Sequence, residues 1–237
     1  MNVLHESLRT FLRCAGCKGP LASASGSMTC QSCGATFPVA HGVPVLIDES
    51  KSVFSADVCA ASAVPDEREP PRAGWRDAVR GVMERVVPKA GENLAGVANI
   101  RFLIEQLRLE SPAPRVLVLG GGSLGVGMQA LVDQPDFVVV ESDVVCGPRA
   151  NLLCDAHEIP FADGTFDAVI AQAVLEYAID PFRVVAEIHR VLRPRGFAYA
   201  ESPFMQQVHG GPYDFFRFSH VGHRRLFRKF EEVRSGV

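Results

Sequence analysis

At 237 residues, of which 47% are hydrophobic and 22% charged, the chain is long enough for one domain of ordinary size plus a small one. A formal net charge of -3 argues against a dedicated binder of nucleic acid or anionic membrane. The polar start "MNVLHESLRTFLRC" does not read as a signal peptide, and no run approaches the roughly 18 apolar residues of a membrane-spanning helix, so a soluble, cytoplasmic protein is expected.

Leu4, Leu8, Phe11 and Leu12 fall at helical spacing and predict a short amphipathic helix within residues 1–13. Next come Cys14-Ala-Gly-Cys17 and Cys30-Gln-Ser-Cys33, a C-x2-C-x12-C-x2-C pattern. Four thiolates on two tight knuckles close a tetrahedral zinc site with Zn–S distances of about 2.3 Å, and no open position remains, so the metal is expected to be structural. Seven cysteines with four of them paired suit a reducing compartment better than a disulfide framework. Cys59, Cys146 and Cys154 read as small apolar residues. The run "GVPVLI" reads as a strand, and residues 1–49 are expected to form a zinc-binding, ribbon-like module. From Glu49 to about Trp75 the chain is polar, alanine-rich and broken by proline; residues 50–92 read as a linker and a leading helix.

Residues 93–109 restore a strong helical period, and Pro112 and Pro114 separate it from the next element. Strands are predicted near 115–119, 137–141, 150–153, 166–172 and 197–201, with helices near 124–133, 181–192 and 220–229. Apolar strands alternating with helices imply an α/β class: a Rossmann-like, doubly wound, mostly parallel sheet over residues 93–237, preceded by the small ribbon. After the last helix only "FEEVRSGV" remains, enough for one strand. The sheet is therefore expected to lack its last C-terminal strand, leaving an open edge that invites a homodimer.

The stretch "RVLVLGGGSLGVGMQAL" carries the glycine loop. Read literally, Gly120-x-Gly122-x-x-Gly125 is a dinucleotide fingerprint, a strand and tight turn leading to a helix N-terminus aimed at phosphate. The same architecture can hold the amino-acid end of S-adenosylmethionine. Either ligand wants an acid at the end of the second strand, where Glu141 and Asp143 lie two residues apart on one face; Glu141 follows the apolar run directly and ranks first. Loop and acid together leave nicotinamide and sulfonium open.

Two resemblances narrow the choice. The first 50 or so residues, through the cysteine pairs and the matching positions Phe37, Pro38, Val39 and Gly42 to Leu46, resemble the small zinc-binding activator proteins that partner methyltransferases. Residues 94–230 resemble class I S-adenosylmethionine-dependent methyltransferases of the type 11 kind. The matching motifs occur in order: Asp155-Ala156, Ile159-Pro160-Phe161, Asp163-Gly164-Thr165-Phe166-Asp167, Leu175-Glu176-Tyr177, Asp180-Pro181 and Glu187 through Leu192. The resemblance implies S-adenosyl-L-methionine as cofactor. Gly120, Gly121 and Gly122 would pass its methionine part and Glu141 would chelate the ribose. Asp155, with the Ala156 and His157 backbone, would meet the adenine edge, and Gln172 with Ala173 would form the floor near the methyl group. A turn-capping acid is the alternative reading of Asp155.

The chain departs from that family in places. Val118 stands where many members carry an acid, removing one anionic neighbour of the methionine ammonium group, and Leu124 replaces a third glycine, with Gly125 one step later. Tyr177 stands where histidine is usual. Beyond the fifth strand of that domain, His209 and Tyr213 are the candidate catalytic or substrate-orienting residues, with Asp214 and Arg217 as a polar pair; His220-x-x-His223 lacks neighbouring ligands for a metal. The expected function is methyl transfer to an oxygen or nitrogen nucleophile of a small molecule or biosynthetic intermediate. A catalytically degenerate fold acting as a binding or activator scaffold is the alternative. The acidic balance and the absence of an Asn/Asp-Pro-Pro-aromatic motif disfavour a nucleic-acid substrate, and no membrane partner is expected.

Overall fold

A computed structural model describes residues 4–24, 26–61, 94–204, 207 and 213–236. Helix α1 (Glu6–Arg9) is shorter than the helical spacing suggests, because the chain leaves it to pair elsewhere. Leu12 bridges to Phe161 and the Arg13 N–H donates to the Pro160 carbonyl at 2.9 Å, while Leu8 and Leu12 enter the core.

A four-stranded antiparallel meander follows: β1 (Leu21–Ala24), β2 (Ser27–Cys30), β3 (Thr36–Ala40) and β4 (Val43–Leu46). The β3–β4 turn is two residues, His41 at φ 52° and Gly42 at φ 83°. Positive φ at both centres is the hairpin geometry whose twist matches the flanking strands. All four residues of β4 are buried, which a strand of an open two-sided ribbon would not show. The cause lies on its other edge, where β4 runs parallel to β7 (Leu152–Cys154) with Val45 beside Leu153 and Leu46 beside Cys154.

Helix α2 (Ala56–Ala61) lies within the region read as linker; the rest of that region, 62–93, is outside the described residues. The alternating part then runs α3 (Leu94–Glu110), β5 (Arg115–Leu119), α4 (Gln129–Val132), β6 (Val138–Asp143), β7, β8 (Phe166–Gln172), α5 (Pro181–Val191), β9 (Leu192–Glu201) and α6 (His220–Leu226). Strands β4, β7, β6, β5, β8 and β9 are mutually parallel, and the whole forms one nine-stranded sheet in the order β1-β2-β3-β4-β7-β6-β5-β8-β9. Strands β6 and β7 are joined through residues 144–151 without a helix. That short return suffices because they pair only at Ser142–Leu152 and Asp143–Leu153.

The central strands are apolar on both faces because both are covered. One cluster joins Leu8, Leu12, Leu46 and Phe161 to Val184, Ile188 and Val191 of α5; the other joins α3 to the opposite face through Ile100, Leu107, Val118 and Ile170. Helix α5 follows its sequence signals. The Asp180 side chain caps the Arg183 N–H, Pro181 occupies the first turn, and His189 and Arg190 sit in the last turn.

Helix α4 starts later than the expected 124–133. Gly127 has φ 81°, and a side chain there would come within 2.9 Å of the Val97 backbone, so the preceding residues form a close-packed turn against α3. Strand β9 begins at Leu192, directly after α5, with an irregularity opposite Phe166 and Ala168. Among the described residues no strand follows α6, and none pairs with the outer edge of β9.

Candidate functional site

The sequence of strands around β5 creates the site. Its neighbours are β6 on one side and β8 on the other, so the chain reverses its direction of winding there; in open α/β sheets, ligands bind in the crevice outside the carboxyl ends of strands at such a point. A cleft of about 480 Å³ opens there, bordered by Gly120, Ser123, Glu141, Gln172, Ala173 and Glu201.

The glycine loop is shaped by what it crosses. Gly120 has φ 68°, and a Cβ on it would lie 2.7 Å from the Val174 side chain. A Cβ on Gly121 would lie 2.9 Å from that of Glu141, and its N–H donates to the Ser142 carbonyl at 2.8 Å. The Gly122 N–H donates to Asp143 Oδ2 at 2.8 Å. Asp143 therefore ties down the loop, while Glu141 borders the cleft. Glu141 is 5% exposed and its Oε1 accepts from Arg149 Nε at 2.7 Å. Burial pushes its pKa up, and the Arg149 guanidinium opposes that rise without cancelling it.

In the N-terminal segment, Cys14, Cys17, Cys30 and Cys33 place their sulfurs within 4.8 Å of one another. The two knuckles fold alike: Lys18 N–H donates to the Cys14 carbonyl at 2.9 Å and Gly34 N–H to that of Cys30 at 3.0 Å, with Lys18 and Gly34 both at positive φ. Burial pushes the Cys14 thiol up to about 12, whereas backbone N–H groups of Cys33 and Ser32 bring Cys30 down to about 6. A closed set of four soft donors fits a tetrahedral zinc ion and leaves no position for substrate.

Residues 136–200 match the methyltransferase domain family Methyltransf_11, and residues 6–42 match the Trm112p-like protein family. The chain thus carries a Trm112p-like match ahead of a methyltransferase-domain match. Over 44 residues it is 48% identical to the ubiquinone/menaquinone biosynthesis C-methyltransferase UbiE of Desulfotalea psychrophila, which covers 19% of this chain and 18% of that protein. Over 57 residues it is 37% identical to the mitochondrial arginine-hydroxylase NDUFAF5 of Rattus norvegicus, covering 24% of this chain and 16% of that one. The matched stretches thus span less than a fifth of these curated relatives. Among solved structures it resembles the complex between the Haloferax volcanii Trm112 methyltransferase activator and the putative methyltransferase. That likeness has 23% identity and a TM-score of 0.45, over 65% of this chain and 72% of the other.

Within the stretch that matches the methyltransferase domain family, Asp155 follows β7 and caps the turn Ala156–Glu158. Its Oδ1 accepts from the His157 backbone N–H at 2.9 Å and lies 2.6 Å from His157 Nδ1; its Oδ2 accepts from the Ser52 hydroxyl at 2.5 Å. Burial raises the Asp155 pKa, but the hydrogen bonds from His157 and Ser52 outweigh it and hold the carboxyl below its usual range. His157 Nε2 accepts from the Asp180 N–H at 3.1 Å, which puts the ring proton on Nδ1, facing Asp155.

The structure thus brings Gly120, Glu141 and Gln172 to one cleft, whereas Gly121, Gly122, Asp143, Asp155, Ala156 and His157 do not line it. His209 lies outside the described residues. Tyr213 is 41% exposed and its ring meets that of Phe54, 5.4 Å between centroids. Asp214 pairs with Arg217, and the Phe215 and Phe216 N–H groups donate to the Glu176 carbonyl at 2.9 and 3.0 Å. His220 and His223 join no metal-ligand group among the described residues.

Sequence reasoning passed over Ser52, Ser123 and Glu201. Neither Glu201 nor Ser52 offered a local signal, since one depends on strand register and the other on the path of the segment after β4.

No helix among the described residues is long and apolar enough to cross a membrane.

Proposed function

We propose that this protein transfers a methyl group from S-adenosylmethionine to an oxygen or nitrogen nucleophile of a small molecule or biosynthetic intermediate. The observation that carries the reading is the cleft at the winding reversal, bordered by a loop whose glycines 120 and 121 admit no side chain. Its volume of about 480 Å³ lies within the range, roughly 300–1,000 Å³, of sites that bury small ligands. When bound, the cofactor supplies an electrophilic methyl on a cationic sulfonium. In this reading Glu141 accepts the ribose hydroxyls, Gln172 and Ala173 floor the reacting end, and Asp155 with the Ala156–His157 turn meets the adenine edge. His209 and Tyr213 orient or deprotonate the acceptor. The four cysteines hold zinc structurally, and the Trm112p-like segment serves in cis through β4. Cytoplasmic residence and a homodimer through the β9 edge belong to the same proposal.

A second reading, a non-catalytic scaffold, draws on one feature: the acids meant for the adenosine half are engaged internally, Asp155 by Ser52 and Glu141 by Arg149. Calorimetric titration with S-adenosylmethionine, S-adenosylhomocysteine and NADH, with Asp155→Ala as control, separates these readings. Micromolar binding of the first two, lost in the variant, supports the enzyme. No binding by folded, zinc-loaded protein supports the scaffold, and binding of NADH alone refutes both cofactor and family reading.

A further inference from the structure

We infer that Glu201, at the carboxyl end of β9, holds the α-ammonium group of the cofactor's methionine part; the assignment rests on the methyltransferase reading above. Strand register supplies the geometry. Val118 lies beside Ile170, Ile170 beside Tyr199, and Gln172 beside Glu201. Because side chains alternate along each strand, Val118, Ile170, Gln172, Tyr199 and Glu201 share one face of the sheet. Val118, Ile170 and Tyr199 pack into the α3 core, and the next row toward the carboxyl edge is Gly120, Gln172 and Glu201, which borders the cleft.

On that row β5 contributes no charge of its own, since position 118 is valine and position 120 glycine. Glu201 is the acid that reaches in from two strands away. Its carboxylate is aimed by two neighbours: Gln172 Nε2 donates to Oε2 at 3.0 Å, and the Tyr199 hydroxyl donates to Oε1. The same Gln172 amide donates to the Val126 carbonyl at 3.1 Å, linking Glu201 to the segment that follows the glycine loop. Ser202 adds an independent sign of a polar occupant. Its hydroxyl is buried, lines the cleft and has no hydrogen-bond partner among the described residues.

A primary ammonium needs an anionic acceptor, and charge-assisted hydrogen bonds of this kind are the strong ones. Glu201 thus replaces, from β9, the acid that β5 lacks.

The test uses two adenosine thioethers and the full zinc-loaded chain. S-adenosylhomocysteine carries the α-ammonium group, and 5′-methylthioadenosine keeps the adenosine and sulfur but lacks the amino-acid part. Glu201→Gln should weaken S-adenosylhomocysteine by about ten- to a hundredfold, the range for losing one hydrogen bond to a charged group, and leave 5′-methylthioadenosine unchanged. Equal losses for both ligands would make Glu201 a structural support and overturn the assignment. Unchanged binding of S-adenosylhomocysteine overturns it as well, while leaving the methyltransferase reading intact. Wild-type protein that binds neither ligand overturns that reading and this one together.

Discussion

Leu46 offers the sharpest test of how the Trm112p-like segment is attached. It is fully buried on β4, beside Cys154 of β7, in a cluster that also holds Leu8, Leu12 and Phe161. Leu46→Ala removes three buried carbons where two parts of the chain meet, and such truncations destabilise by about 2–5 kcal/mol, depending on how far the site collapses. For a chain of this size each kcal/mol lowers Tm by roughly 2–4 °C, so a fall of about 4–20 °C is expected. The informative comparison is between two probes followed in one melt, far-ultraviolet circular dichroism for the sheet and a chromogenic chelator for zinc release. Because ribbon and α/β sheet share strands and core, the two transitions should coincide in wild type and move together in the variant. Zinc release that precedes loss of the sheet, or that alone responds to Leu46→Ala, would refute the shared-core argument.

Two further outcomes follow from the titrating groups. Burial pushes the Cys14 thiol up, so it must lose a proton to ligate zinc, whereas backbone N–H groups favour the thiolate at Cys30. Zinc binding at pH 7.5 should therefore release protons, readable with a pH indicator, and weaken as pH falls; binding without proton release would contradict this. Ser52→Ala removes a donor to Asp155, whose folded pKa is depressed. The stabilisation from that depression is present above the unfolded pKa and lost as pH falls through the folded one. The variant should lose about 1–3 kcal/mol at neutral pH by urea denaturation, and the gap from wild type should close in acid; a constant gap would assign the loss to packing.

Legibility in the sequence followed the range of the forces involved. Strands β5 and β8 have the expected bounds because each is built on a mostly apolar run, with Pro114 and Gly120 bracketing β5 and Gly164 just ahead of β8. Helix α5 was equally readable, since its caps are local. The cysteine cluster needed only spacing. Helices α1 and α4 were overestimated because distant contacts limit them: Arg13 pairs with Pro160 beyond the end of α1, and Gly127 presses on Val97 before α4 can start. Strand β4 was expected, but not its parallel partner, because edge pairing depends on a surface that short-range patterning does not encode. The same limit hid Glu201, which reaches the cleft only once three strands are in register, and Ser52, which reaches Asp155 only through the fold of a polar segment.

The attachment also explains why Asp155 is where the two parts communicate. Strand β7 is three residues long, and without β4 it would be the exposed edge of the parallel sheet, with β6 overlapping it at only two positions. An edge that short positions the turn after it poorly. Strand β4 covers the edge, and a charged seam then fixes the turn. Lys18 Nζ lies 2.8 Å from Glu158 and 3.1 Å from Glu187, and Lys51 Nζ donates to the Gly16 carbonyl at 2.6 Å. Lys18 and Gly16 belong to the first zinc knuckle, and Glu158 ends the turn that Asp155 caps. A metal that sets the knuckle therefore also sets the far anchor of the Asp155–Glu158 turn. The ribbon meets that turn and the residues after it through the β4–β7 pair, the Leu12–Phe161 bridge, the Arg13–Pro160 hydrogen bond and Lys18, and among the described residues none of its side chains borders the cleft.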